Sequence, residues 1–93
     1  MSEDAHHHDD PAALAERGAR LRAEGERLAA ETAALAERRA STEEAVASTM
    51  RHAADVRPAH GERLRRLAEH AEDTAREERE HATRWAERSR REP

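Results

Sequence analysis

A chain of 93 residues has room for one small domain, and this one carries eleven large apolar side chains: six Leu, two Val, two Met and one Trp. Its formal net charge is −4, with 41% charged residues and a mean hydropathy of −1.20. So few large side chains cannot close a self-contained globular core, and pairing with another chain is the expected route to a stable fold.

Low hydropathy and high charge also mark disordered chains. Against disorder stands the predominance of Ala, Leu, Arg and Glu, the strongest helix formers, with only three Pro and three Gly. The expected class is all-α. All 17 basic residues are Arg, a bias that points to GC-rich, bacterial coding rather than to function. Without Cys there is no disulfide, no thiol nucleophile and no cysteine-ligated metal. No apolar run approaches membrane-spanning length, and Met1-Ser2-Glu3-Asp4 is unlike the basic, then hydrophobic, opening of a signal peptide. No membrane partner is expected, and the expected compartment is the cytoplasm.

Residues 1–10 are acidic and His-rich, with nothing to bury, and read as a disordered tail ahead of a single helical domain over 11–93. Asp10 is placed to cap a helix whose first residue is Pro11. From there Leu14, Leu21, Leu28 and Leu35 recur every seven residues, and Val46, Met50 and Ala53 continue near that face after one longer step. This spacing predicts a coiled-coil seam. Gly18, Gly25, Thr32 and Arg39 alternate with the leucines. The two glycines each cost about 1 kcal/mol of helix propensity relative to Ala, so close backbone packing is the expected compensation.

Pro and Gly stand close together only in Asp55-Val56-Arg57-Pro58-Ala59-His60-Gly61, which marks the chain reversal. A second helix follows with Leu64, Leu67, Ala71, Thr74, Glu78, His81, Trp85 and Arg88 as its seam, and Ala68, Ala75 and Ala82 beside it. Arg88, Arg90 and Arg91 suit its negative end. Glu16–Arg20, Glu62–Arg66, Glu72–Arg76, Glu80–Arg84 and Glu87–Arg91 have the spacing of supporting surface pairs.

The expected architecture is a long antiparallel helical hairpin: helix over about 11–56, turn over about 57–61, helix over about 62–91. The alternative is a three-helix bundle broken near Ser41, where Ser41 and Glu44 form a capping-box pattern. In the hairpin the first helix outruns the second by about 20 Å. Leu14 and Leu21 then lack cover within the chain, and two hairpins docked as a four-helix bundle would supply it. The expected partner is therefore the chain itself, or another helical protein, through Leu14, Leu21, Leu28, Leu35, Val46, Met50, Leu64, Leu67 and Trp85. Trp85 reads as a packing anchor. Folding back near Pro58 faces positions whose numbers sum to about 117, setting Arg39 opposite Glu78 as a seam ion pair that fixes register more than it adds stability.

Among chemical motifs, Glu78-Arg79-Glu80-His81 has the Glu-x-x-His spacing of di-iron carboxylate bundles. The stretch from Glu69-His70 to His81-Ala82 resembles the second helix of short ferritin-like hairpin proteins, including the encapsulated ferritins, which oligomerise to complete their metal sites. That resemblance implies Glu78 and His81 as ligands. It also requires a further Glu on the facing helix, where Glu37 points away from the seam.

His6, His7 and His8 beside Asp9 and Asp10 bind Ni, Cu or Zn weakly in any protein. His52, His60 and His70 read as solvated. Length and hairpin form make the chain similar to the WXG100-type secreted proteins as well, but its turn lacks their Trp-x-Gly and it has no Tyr for their secretion signal. There is no Ser/His/Asp constellation and no Gly-rich phosphate loop, so neither catalysis nor a cofactor is expected. Arg63, Arg65 and Arg66, like Arg84, Arg88, Arg90 and Arg91, are interleaved with glutamates, which argues against a nucleic-acid partner.

The favoured reading is a non-enzymatic, homo-oligomeric adaptor, scaffold or small regulatory subunit, with ferritin-like and WXG100-like hairpins as alternatives. If metal uptake belongs to the tail, deleting residues 1–10 abolishes most Ni or Zn binding in equilibrium dialysis. Glu78→Ala and His81→Ala then leave it unchanged, and the reverse pattern would favour the ferritin-like reading.

Overall fold

The computed structural model describes residues 10–91 and contains two long helices, α1 (Pro11–Val56) and α2 (Gly61–Arg91), joined by a 3₁₀ turn at Pro58–His60. The chain is an antiparallel helical hairpin, and no strand occurs among the described residues. At 1.5 Å per residue α1 is about 69 Å long and α2 about 46 Å. The overall extents of 77 × 26 × 13 Å are those of one layer of two helices.

Local chemistry sets the helix ends. Asp10, in extended backbone, accepts a hydrogen bond from the Ala12 N–H at 3.0 Å through its side chain, with Pro11 at the first helical position. At the other end Pro58 disfavours helical backbone at the preceding residue, and Arg57 leaves the helix at φ −130° and ψ 74°. Its N–H still reaches the Ala53 carbonyl at 2.9 Å. Gly61 opens α2 in ordinary helical backbone. A Cβ there would meet the Arg65 guanidinium at 3.2 Å and the Ala54 carbonyl oxygen at 3.4 Å, an ordinary contact distance, where the two helices first approach.

α1 passes through Ser41 without a break, so the three-helix alternative does not form. Ala40 and Ala47, on either side of the capping-box pattern, are both buried. The Thr42 hydroxyl donates to the Arg38 carbonyl at 3.1 Å, satisfying itself within the helix instead of capping a new one. Here tertiary packing overrides a local start signal.

The fully buried contact between the two helices is made by small residues. Ala29, Ala36, Ala40, Ala47 and Ala54 are buried on α1, and Gly61, Ala68, Ala71, Ala75 and Ala82 on α2. Half-buried Met50 packs against Ala47, Ala68 and Ala71. This differs from the leucine seam expected above. Four large residues of that series precede a seam alanine (Leu28 before Ala29, Leu35 before Ala36, Val46 before Ala47, Leu67 before Ala68), which turns them about 100° away from the contact.

Facing positions follow from Ser89, whose hydroxyl donates to the Glu26 carbonyl at 3.4 Å, and from the approach of Gly61 to Ala54. Beyond Ser89, about four turns of α1 project past α2. Those turns contain Leu14, Gly18 and Leu21. The close packing expected to compensate the glycines is absent within the described chain, because nothing lies within 4 Å of a Cβ built on Gly25.

The seam should be intolerant of size. Ala68→Leu, at a position with 0% exposure, is expected to destabilise the fold by about 1–3 kcal/mol. Ala45→Leu on the exposed side should stay within about 0.5 kcal/mol. Thermal unfolding followed by circular dichroism separates the two.

Candidate functional site

Antiparallel pairing on a narrow alanine seam leaves the hairpin with two unlike faces. On one face, side chains four residues after the seam alanines, or next to them, carry charge and reach across to the other helix. Arg51 Nη2 donates to Glu72 Oε1 at 2.6 Å, and Arg79 Nη1 donates to Glu44 Oε2 at 2.6 Å. Arg79 also lies 3.4 Å from Glu37, and Arg65 lies 3.5 Å from Asp55. The hydrogen bond from Arg51 is the main cause that holds the Glu72 carboxyl below its ordinary pKa, and the same bond raises that of Arg51.

Of the expected surface pairs, Glu16–Arg20 forms at 3.6 Å and Glu62–Arg66 at 3.3 Å. Glu72 instead turns across the hairpin to Arg51, and Arg76 pairs with Asp73.

The opposite face is apolar and uncovered. Leu14, Leu21, Leu28, Leu35, Val46 and Leu67 remain 47, 67, 53, 41, 37 and 42% exposed. Met50, Leu64 and Trp85 are half-buried. The Trp85 ring lies 4.9 Å from the Arg88 guanidinium carbon and shares a shallow groove with Gly25, Leu28, Ala29 and Thr32. Leu14 and Leu21 stand apart on the projecting end of α1.

Arg39 and Glu78 interrupt this apolar face near its middle. They line one groove with Leu35, Thr42 and Thr74. Within the described chain no ion pair or hydrogen bond joins them, in contrast to the seam pair expected from the sequence. Both stand on the flank of the alanine contact and open towards solvent, Arg39 exposed and Glu78 half-buried. The charged face missed above has a readable signal in retrospect: Glu44, Arg51, Glu72 and Arg79 each follow a seam alanine by four residues.

His81 and Glu78 line a separate shallow groove with Glu77, Glu80 and Arg84. Among the described residues no three His, Asp or Glu side chains are grouped to hold a metal ion. Glu37, the facing-helix carboxylate considered for such a site, is engaged by Arg79 on the opposite face. His6, His7 and His8 lie outside the described residues. No described helix is long and apolar enough to cross a membrane. Comparison with family models, with curated proteins and with solved structures finds no match.

The Arg51–Glu72 bond sets a pH dependence. Because the folded-state pKa of Glu72 is lowered, its contribution is present above the ordinary glutamate value of about 4.3 and is lost as pH falls through the lowered one. Glu72→Gln should lower the melting temperature at pH 7 by no more than a few degrees, as for an exposed pair. The gap from the parent chain should close in acid, measured in parallel melts from pH 7 down to pH 2.

Proposed function

We propose that this chain is a non-enzymatic interaction protein whose leucine face is its binding surface, and that its first partner is itself, in a four-helix, coiled-coil-like bundle. One observation carries the reading: among the described residues nothing larger than alanine is fully buried, while six large apolar side chains stand exposed along one face. An alanine seam gains little from burial, since apolar stabilisation scales with the area removed from water. An exposed apolar stripe of this length, interrupted only near its middle, is the usual mark of an interface.

The opposite, ion-paired face suits solvent. The same division supports an adaptor, scaffold or small regulatory role, because a helix face of large apolar side chains suits a helical partner. A cytoplasmic setting belongs to this reading, since a charged outer face and an apolar inner face are those of a water-soluble assembly.

Light scattering after size exclusion should report at least twice the 10.5 kDa chain mass at micromolar concentration, with a melting temperature that rises with concentration. Leu28→Glu combined with Leu35→Glu should abolish assembly, whereas Glu37→Gln with Glu44→Gln on the charged face should leave it intact. A folded monomer melting independently of concentration would overturn the reading.

A further inference from the structure

We infer that the leucine face is covered by a second copy of this chain related by a two-fold axis running along the helices, so that both projecting α1 ends lie at the same end of the assembly. The inference rests on the proposed self-association and adds its orientation. Two hairpins joined face to face by a two-fold axis have two simple arrangements. With the axis along the helices, α1 of one copy faces the partner's α2 at its own level. With the axis across the helices, α1 faces the partner's α1 and α2 faces the partner's α2.

The charges in the middle of the face separate these. Arg39 and Glu78 occupy one groove, on different helices and at nearly the same level, and neither has an ion-pair partner among the described residues. With the axis along the helices, Arg39 faces the partner's Glu78 and Glu78 faces the partner's Arg39. The four charges then form two reciprocal pairs of opposite sign, with Arg38 and Glu43 of each copy in the same groove. With the axis across the helices at this level, arginine faces arginine and glutamate faces glutamate. Shifting that axis by about half a turn sets Arg39 against the partner's Glu43, which lines the same groove, but leaves Glu78 with no arginine opposite. Like charges juxtaposed in an interface are strongly unfavourable, and a desolvated lone charge is too.

The flanking residues agree. By the register that brings Ser89 to Glu26 and Gly61 to Ala54, Leu28 shares a level with Trp85, Val46 with Leu67, and Met50 with Leu64. The arrangement therefore stacks large apolar layers on both sides of one charged layer. It also gathers Leu14 and Leu21 of both copies at one end.

Two measurements on the full chain test this. Orientation is read from a spin label on Ala15→Cys, the only thiol in the chain. Same-end packing predicts a label separation under about 40 Å, while the crossed axis puts the labels about 50 Å or more apart.

The charged layer is read from dimer dissociation constants. Arg39→Glu and Glu78→Arg should each weaken the dimer on the order of tenfold, and an equimolar mixture should associate about tenfold more tightly than either variant alone. A dimer with distant labels, or a mixture no tighter than its components, overturns the arrangement while leaving self-association standing. A monomer overturns both.

Discussion

The distance of closest approach between two helices is set by the side chains between them, and here those side chains are alanine and one glycine. Interhelical spacing of about 8 Å, the low end of the usual range, follows from such small contacts. At that spacing there is no room inside the hairpin for leucine, so every larger apolar residue is displaced to a flank. The exposed leucine face is thus a consequence of the alanine seam, not a separate feature. The same closeness brings the opposite flank within reach of long charged side chains, which is why Arg51 and Arg79 meet Glu72 and Glu44 at 2.6 Å.

Much of the hairpin is legible from the sequence because its boundaries rest on local chemistry. Asp10 with Pro11, and Pro58 with Gly61, act through backbone geometry that needs no knowledge of tertiary partners. The Ser41 signal is local too, yet it yields to Ala40 and Ala47 packing against the other helix. A capping box contributes on the order of 1 kcal/mol, less than several turns of seam contact and helical hydrogen bonding on either side of it. Where a local signal and a long periodic pattern disagree, the longer pattern prevails.

The candidate site is legible only in part, and the reason is a one-residue ambiguity. Leu28, Leu35, Val46 and Leu67 have the spacing of a helix contact, and so do Ala29, Ala36, Ala47 and Ala68. Periodicity identifies which residues share a face but not which face meets which neighbour. Hydrophobic ranking favours leucine for the seam, and small size favours alanine. The second criterion decides the contact within the chain, because the alanines are the residues buried between the helices. Arg39 and Glu78 moved with the leucines, since both belong to the displaced series. The cross-helix ion pairs could not be read without the register, which depends on which series forms the seam.

Two parallel series, offset by one residue, give a single helix two contact surfaces about 100° apart. This couples them. The register of the hairpin determines the level at which each leucine, and each of Arg39 and Glu78, stands on the outer face. A shift of one seam alanine against its partner would displace the whole apolar face by the same amount. Inserting one residue into α1 would rotate both series together by about 100°, bringing the leucine series into the seam and turning the alanines onto the charged face over the following turns. Both series on α1 place a four-residue step at the same point, from Leu35 to Arg39 and from Ala36 to Ala40. That shared step keeps them aligned, so the sequence specifies the inner contact and the outer face as one pattern rather than two.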